Sequence, residues 1–309
     1  MIITVKKSRA LRVILSLALS AALLTGLVAC GAKKDTAADK PAPADTTKAP
    51  AWAAQLVAGD SKTITVGSDT TFPPFESVST KDGTTVEGFD VDLMTAMAKT
   101  MGLKVKYKTY DWDGIIAGLN AGTDFDMVCS ALTINQGRAK AIYFSAPYFK
   151  DSYGMAVPQD STFSDWKQLK PGDRVGIQTA SSGGDWAKAN LPKGVVFVEN
   201  KDTSALFLAM LTGELKCIIQ DYSMTANFCV DPARKAKIAQ SIEGTDQYLG
   251  MGFQKSDKGA AMRDDFNKAL KTIVDNGTYT KIYKQYFDGE PTFVPGDMTL
   301  DEALAKAGN

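Results

Sequence analysis

Short strands and helices alternate along the sequence from Lys62 onward, in two successive runs. In the first run the pattern predicts a strand at Ile64 and Val66, a helix over 90–101, a strand over 103–107, a helix over 115–120 and a buried strand over 125–129. In the second it predicts strands over 153–157, 174–177, 195–199 and 217–220, helices over 186–190 and 203–212, and a helical stretch over 264–287 that breaks at Gly277. Such alternation is typical of mostly parallel sheets with helices on both faces, so we expect an α/β protein with two lobes.

The sequence contains no histidine, and this excludes several kinds of catalytic site. Ser-His-Asp and Cys-His catalysis and His-based zinc sites all need its imidazole. Enzymes that use carboxylates, Lys or Tyr stay possible. The 35 basic and 35 acidic side chains balance, which argues against a nucleic-acid partner, because phosphate contacts need a surplus of Lys and Arg.

The N-terminus has the pattern of an export signal. Four basic side chains within residues 6–12 precede an apolar run over 13–28. A membrane-spanning helix is the alternative, but it needs about 20 apolar residues. The sequence Leu-Val-Ala-Cys-Gly at 27–31 resembles the lipobox of bacterial lipoproteins. That resemblance implies that residues 1–29 are a signal peptide and that Cys30 carries two or three acyl chains, which anchor the protein stably to a membrane.

Residues 30–60 have the composition of a flexible, lipid-anchored linker. They are rich in Ala, Lys, Asp, Thr and Pro, and such a segment cannot bury enough apolar surface to offset the entropy of ordering it. We therefore expect an extracytoplasmic protein whose folded body is tethered to the outer face of the cell membrane.

Three cysteines remain once Cys30 is acylated. Cys129, Cys217 and Cys229 are either three free thiols, or one thiol and one disulfide, with Cys217 and Cys229 as the nearest pair in sequence. Scattered cysteines without histidine make a poor metal site, so we expect no metal and no other cofactor.

Polar side chains follow the predicted strands, where open α/β sheets bind their ligands. Thr133 and Gln136 form a capping-box pattern, which would gather free N–H groups and a positive helix end near Thr133. Arg138 lies five residues further on, where its guanidinium group could hold a carboxylate. By itself the segment is also typical of a capped helix with a surface arginine.

A second set of candidates would complete such a site. Asp221 ends a buried strand of the second run, where it could hold an ammonium group or cap the next helix. Phe72 and Trp112 could be core aromatics or the flat walls of a pocket. Together with Arg138 these residues offer places for a carboxylate, an ammonium group and a side chain, which is the outline of a zwitterionic amino acid.

Several ordered motifs between residues 62 and 288 resemble the bacterial solute-binding proteins of family 3, the polar amino acid receptors of ABC importers. The motifs are Gly-Ser-Asp-Thr-Thr-Phe-Pro-Pro-Phe-Glu at 67–76, Gly-Phe-Asp-Val-Asp-Leu at 88–93, the segment 130–138, Phe-Ser-Ala-Pro-Tyr at 144–148, Val-Gly-Ile-Gln at 175–178 and Asn-Gly-Thr-Tyr at 276–279. The resemblance implies a two-lobed type II periplasmic-binding-protein fold, each lobe a mostly parallel sheet flanked by helices. It divides the chain into lobe 1 (61–151 and 250–290), lobe 2 (152–249) and a C-terminal extension (291–309), with hinge strands near 151–153 and 244–252.

The resemblance also implies a role for each candidate residue. Arg138 and backbone N–H groups would hold the α-carboxylate, Asp221 and backbone oxygens would hold the α-ammonium group, and Asp69 would reach the polar end of the side chain. The loop at 180–183 departs from the family's glycine–threonine sequence but keeps two hydroxyl groups. The predicted ligand-binding set is Asp69, Phe72, Trp112, Ser130, Ala131, Thr133, Arg138, Ser181, Ser182 and Asp221.

The expected protein is a monomeric, lipid-anchored receptor that is not an enzyme. It would bind arginine, lysine, ornithine, histidine or glutamine in a cleft between the lobes and deliver it to the permease of an ABC importer. One alternative is an enzyme that resembles cyclohexadienyl or arogenate dehydratases, with Glu76 or Asp69 as a general acid. The other is a sensory amino acid-binding lipoprotein without a transport role.

Overall fold

The computed structural model describes Val5 and residues 49–307, which form two α/β lobes, each built on a five-stranded sheet. The predicted signal segment and Cys30 lie outside the described residues, except for Val5, which forms an isolated antiparallel bridge with Phe287. Among the described residues, no helix combines the length and the apolar character needed to cross a membrane.

The strands and helices follow one another as the alternating pattern predicts. The strands are β1 (Thr63–Ser68), β2 (Thr71–Phe72), β3 (Glu76–Val78), β4 (Val86–Glu87), β5 (Lys104–Thr109), β6 (Met127–Val128), β7 (Ile142–Phe144), β8 (Phe149–Pro158), β9 (Arg174–Gln178), β10 (Val196–Asn200), β11 (Cys217–Asp221), β12 (Ala236–Leu249) and β13 (Gly252–Gln254). The helices are α1 (Phe89–Thr100), α2 (Ile115–Ala121), α3 (Gln136–Ala141), α4 (Ser182–Asn190), α5 (Thr203–Leu211), α6 (Tyr222–Cys229), α7 (Asp257–Asp275), α8 (Thr278–Tyr286) and α9 (Leu300–Lys306).

The first lobe is built on the sheet β5-β1-β6-β13-β7, and a small sheet β2-β3-β4 packs beside it. Strands β5, β1 and β6 are parallel, whereas β13 runs antiparallel to both of its neighbours. Helix α1 covers this lobe with Phe89, Leu93, Met94 and Met97, all of them fully buried. Met94 and Met97 are therefore part of the core.

The second lobe is built on the sheet β10-β9-β11-β8-β12. Strands β10, β9 and β11 are parallel, and β8 runs antiparallel to β11 and β12. The carboxyl ends of β9 and β11 place Gln178 and Asp221 on the edge that faces the first lobe. The fold class expected from the sequence is confirmed.

Two long antiparallel strands, β8 and β12, connect the lobes. They pair in the second lobe, and they pair again where Asp151 lies opposite Gln247. Between Ile242 and Gln247 the register shifts, and Gly244 adopts a left-handed φ of 74° in this bulge. The Thr245 hydroxyl accepts the N–H of Tyr153 there, so the bulge keeps a fixed geometry.

The structure differs from the sequence-based prediction at several element boundaries. The predicted strand over 153–157 is only the distal half of β8, because the same strand continues toward the first lobe. The predicted strand over 125–129 shortens to β6. Next to it the Asp126 carboxylate accepts the N–H groups of Thr65 and Val57 and pairs with Lys258, in place of a longer backbone ladder.

The C-terminal part of the chain packs against the first lobe. The helical stretch predicted over 264–287 is two helices, α7 and α8, separated at Gly277 as expected. Helix α7 begins earlier than predicted because the Ser256 hydroxyl caps it by accepting the N–H of Gly259. Helix α9 begins with a capping box between Thr299 and Glu302.

The three cysteines within the described residues are all free thiols. Cys129 and Cys217 are buried, and Cys229 is half-buried. Of the two alternatives left open by the sequence, the structure has three free thiols.

Candidate ligand-binding site between the lobes

The two lobes face each other across a small cavity. The first lobe supplies the residues that follow β1 and β6, and the second supplies those at the ends of β9 and β11. The residues that line the cavity are Asp69, Phe72, Glu76, Trp112, Ser130, Ala131, Thr133, Gln178, Ser181, Ser182, Gln220 and Asp221.

The structure brings the ten predicted site residues together. Nine of them line the cavity, and the tenth, Arg138, lies beside it. Three lining residues were not in the predicted set, namely Glu76, Gln178 and Gln220. The two glutamines lie at or near the ends of the buried strands β9 and β11, and a polar residue in such a place is the signal that could have identified them.

Arg138 bridges the two lobes. Its Nη1 donates to the carbonyl oxygen of Thr133 (3.1 Å) and its Nη2 to that of Ala180 (3.2 Å). The guanidinium group stacks over the Trp112 ring, 5.0 Å from its centroid. Desolvation lowers the pKa of Arg138, and the nearby Asp221 carboxylate acts against that shift. A guanidinium group has five N–H donors, so three remain for a carboxylate.

The predicted capping box at Thr133 is wrong. Helix α3 begins after Asn135, whose side chain accepts the N–H of Arg138 (2.8 Å). Gln136 instead donates to the carbonyl oxygen of Leu304. The reason is that the Thr133 hydroxyl is committed elsewhere, since it donates to Gln247 Oε1 (2.8 Å) in the connecting strand β12.

Asp221 holds a buried negative charge at the second lobe's edge of the cavity. It stands at the N-cap position of α6, but its side chain makes no capping hydrogen bond, so the helix-cap alternative does not describe its carboxylate. Burial raises the pKa of Asp221 to about 6, while a hydrogen bond from Gln247 and the charge of Arg138 oppose the shift. Asp151 lies close by on β8, and burial followed by repulsion from Asp221 raises its pKa well above the ordinary value.

Asp69 holds a second acidic position on the first lobe's side of the cavity. Its Oδ1 accepts from the backbone N–H and the hydroxyl of Thr71, and its Oδ2 accepts from Gln178 Nε2 (3.1 Å) across the cleft. Burial raises the pKa of Asp69 to about 6, against the effect of these hydrogen bonds.

Two aromatic residues of the first lobe border the same cavity. Phe72 is buried and packs on Phe75, with ring centroids 6.2 Å apart. Trp112 is half-buried, and its indole N–H donates to the carbonyl oxygen of Ala180 (3.2 Å) in the second lobe. Phe72 is thus part of the buried hydrophobic core and also borders the cavity, whereas Trp112 borders the cavity from a half-buried position.

The lobes are closed on each other in this structure. Ser182 Oγ donates to Thr133 Oγ1 (2.9 Å), and the Thr203 hydroxyl donates to the carbonyl oxygen of Thr71 (2.8 Å). At the rim, Lys201 of the second lobe pairs with Asp111 of the first. The cavity is therefore a closed interlobe site that a ligand enters when the lobes separate.

Two α/β lobes that close over a cavity and are joined by two crossing strands define a solute-binding protein of the periplasmic type. The chain belongs to the bacterial extracellular solute-binding proteins, family 3, whose sequence pattern matches residues 64–289. The resemblance stated from the motifs is thus confirmed.

Curated relatives in this family are named as amino acid-binding proteins. The chain is 33% identical over 244 residues to a probable histidine-binding protein of Neisseria gonorrhoeae, covering 77% of this chain and 88% of that one. It is 30% identical over 243 residues to the lysine/arginine/ornithine-binding periplasmic protein of Escherichia coli (strain K12), covering 76% of this chain and 92% of that one.

Solved structures share the fold. An ancestral arginine-binding protein bound to arginine superposes with a TM-score of 0.66 at 30% identity, covering 72% of this chain and 97% of that one. The ancestral amino acid-binding protein AncCDT-1, a precursor of cyclohexadienyl dehydratase, gives a TM-score of 0.67 at 29% identity, covering 73% and 96%.

We predict that the Asp221→Asn variant changes how stability depends on pH. The raised pKa of Asp221, about 6 against 3.8, means that the ligand-free native state binds more protons than the unfolded chain between these values. The extra proton stabilises the native state fully below the unfolded pKa of 3.8, and this contribution is lost as the pH rises through the native pKa of about 6. Over this pH range the unfolding free energy of the variant should therefore fall by about 1–3 kcal/mol less than that of the wild type.

Urea unfolding of the ligand-free proteins from about pH 4 to about pH 7 measures this difference. Asp124→Asn, a change at an exposed acidic residue, is the matched control and should follow the wild type. A D221N profile that is parallel to the wild-type profile would contradict the raised pKa.

Proposed function

We propose that the protein is an extracytoplasmic receptor that binds a polar or cationic L-amino acid in the interlobe cavity and delivers it, as a monomer, to the permease of an ABC importer. The observation that carries the proposal is the placement of charge at the cavity. Arg138 offers donors to an anion, and Asp221 and Asp69 offer two separate acceptors to cations.

The charges around the cavity match an amino acid zwitterion whose side chain carries an additional positive charge. The α-carboxylate pairs with Arg138, helped by the backbone N–H groups of Thr133 and Ser182, and the α-ammonium group pairs with Asp221. Asp69 then has no cationic partner unless the ligand side chain supplies one. Because a buried charge without a partner is costly, this favours arginine, lysine, ornithine or histidine over glutamine.

The aromatic residues support the same assignment. Phe72 and Trp112 border the cavity and would enclose the ligand's side chain between flat surfaces. A guanidinium, ammonium or imidazolium group beside an aromatic face gains cation–π attraction. The carbonyl oxygens near Ser130 and Ala131 would accept the remaining protons of the α-ammonium group.

A thermal-shift screen of the purified mature protein against the common amino acids and ornithine tests the proposal. A ligand that binds only the native state raises the melting temperature by mass action. We expect the largest shift with a cationic amino acid. The absence of a shift with every amino acid would contradict the proposed function.

We predict that Arg138→Ala weakens binding of the best amino acid at least about 100-fold, because the α-carboxylate loses its charged partner. Isothermal titration calorimetry measures the change. Arg174→Ala is the matched control, since Arg174 lies on the exposed surface of the second lobe and pairs with Glu214. An R138A protein with wild-type affinity would contradict the assignment of the carboxylate end.

We predict that Asp69→Asn lowers the affinity for L-arginine about tenfold, because a charge-assisted hydrogen bond becomes a neutral one. Binding of L-glutamine, whose side chain is neutral, should change less. The ratio of the two dissociation constants, measured by calorimetry on wild type and variant, gives the result. An equal loss for both ligands would show that Asp69 does not contact the cationic end.

We also propose that Cys30, which lies outside the described residues, carries the lipid anchor. Growth of the producing bacterium with a clickable palmitate analogue should label the wild type. Cys30→Ser should abolish the label and release the protein from the membrane fraction, whereas Cys229→Ser, at a half-buried thiol, should keep the label. A labelled Cys30→Ser protein would contradict the anchor.

A dehydratase-like enzyme is the second candidate, and one observation favours it. Glu76, a buried carboxyl group with a pKa well above the ordinary value, lines the cavity where a general acid would stand. We propose a receptor rather than an enzyme, because Asp221 and Arg138 fit an intact amino acid. Incubation with prephenate and with arogenate decides the matter, since turnover of either would favour the enzyme.

A further inference from the structure

The buried carboxyl groups of Glu76 and Asp90 are neighbours at the wall of the cavity, close enough for the charge of one to act on the other. Glu76 begins β3 and Asp90 lies in the first turn of α1. Glu76 is 1% exposed and Asp90 is fully buried. Neither of them forms an ion pair with Lys or Arg in the described part of the chain.

One oxygen of each carboxyl group contacts the cavity wall. Glu76 Oε1 accepts from the Ser130 hydroxyl (2.7 Å), which in turn accepts the N–H of Asp69 (2.9 Å). Asp90 Oδ2 accepts the backbone N–H of Ala131 (2.8 Å) and the hydroxyl of Tyr148 (2.7 Å). Neighbouring residues of the cavity wall are thus held by the two acids.

The second oxygen of each carboxyl group has no other donor. Glu76 Oε2 and Asp90 Oδ1 are buried and receive no hydrogen bond from any donor group in the described residues. Two carboxylate oxygens repel each other, so they form a hydrogen bond only when a proton lies between them. Asp90 already accepts two strong donors and lies at the positive end of α1, which favours its charged form. A proton shared by the pair would therefore reside on Glu76.

We propose that Glu76 and Asp90 share one proton and act as positioning residues that fix the corner formed by Ser130 and Ala131. This inference rests on the proposed function, because that corner is where the α-ammonium group is expected. Ala131 adopts a left-handed φ of 44°, a conformation that costs free energy in a residue other than glycine. The N–H bond to Asp90 and the hydroxyl bond to Glu76 hold the corner in this conformation.

Within the described residues, the titratable side chains that interact with the pair are an acid, three phenols and a thiol. They are Asp69 after β1, Tyr107 on β5, Cys129 after β6, Tyr148 before β8 and Tyr279 on α8. A second negative charge on the pair would meet no compensating cation among them. Loss of the shared proton at alkaline pH should separate the two carboxylates and release the corner.

Substitutions at Glu76 test the proposal, with L-arginine and L-glutamine as the probes. Glu76→Ala removes the acceptor and the proton together and should weaken binding about tenfold or more. Glu76→Gln keeps an acceptor for Ser130 and a fixed N–H donor for Asp90, so it should restore most of the lost affinity. Glu87→Ala, at an exposed acid on the adjacent strand β4, is the control and should bind as the wild type does.

The pH profile separates positioning from a merely structural role. Between about pH 7 and about pH 9, the wild-type affinity should fall more than that of Glu76→Gln, whose amide proton does not leave. The ligand titrates identically in both measurements, so the difference belongs to the protein. Parallel profiles, or equal affinities of the Ala and Gln variants, would overturn the proposal.

Infrared spectroscopy examines the proton without a ligand. The wild type should show the carbonyl stretch of protonated carboxylic acids at neutral pH, and Glu76→Gln should lose the part of that absorption that Glu76 contributes, while any part that comes from Asp151 stays. If the absorption is the same in both proteins, the shared proton is wrong, even where Glu76→Ala fails to fold. If the wild type binds no amino acid but the band behaves as expected, the proposed function fails and the shared proton stands.

Discussion

The burial of charge at the boundary between the lobes is the constraint on which the site depends. Asp69, Asp151 and Asp221 are almost completely removed from water in the closed structure, and Arg138 is partly removed. Taking carboxylates out of water is costly unless each finds a charged or hydrogen-bonding partner. Amide and hydroxyl donors satisfy part of this need, and the charged groups of a ligand would satisfy the rest. Under the proposed function, closure over an amino acid would satisfy these buried charges better than closure over water alone.

The strands that connect the lobes also contact the site. Asp151 on β8 lies beside Asp221, and Gln247 on β12 contacts both Asp221 and Thr133. Under the proposed function, a rotation of the lobes about these strands would move those side chains relative to the cavity. Ligand contact and lobe closure would then be linked through a few shared residues.

Much of the fold and most of the site could be predicted from the sequence, because both depend on local pattern. Alternating strands and helices predict two α/β lobes, and polar residues after strands predict the location of Asp69, Ser130 and Asp221. Glu76 was named only as a general acid of the enzyme alternative and not in the ligand-binding set, because its burial depends on a turn between short strands. Gln178 follows the predicted strand over 174–177 but was left out of that set, because its bonds to Asp69 and Lys201 join parts of the chain that are distant in sequence.

Other errors arose where long-range contacts override local signals. The Thr133–Gln136 pattern resembles a capping box, but Thr133 bonds to Gln247, which is 114 residues away along the chain. Asn135 then takes the capping role. Similarly, β8 extends beyond its predicted limits because it pairs with β12, a partner that strand propensity alone does not specify. The hydrogen bond from Arg138 to Ala180 in the other lobe also depends on closure, which no local pattern encodes.

A crystal structure of the mature protein with bound L-arginine tests the central claim most directly. The account predicts closed lobes, with the α-carboxylate on Arg138, the α-ammonium group on Asp221 and the guanidinium group directed toward Asp69 between Phe72 and Trp112. A ligand bound in the reverse orientation, or bound outside the interlobe cavity, would contradict it.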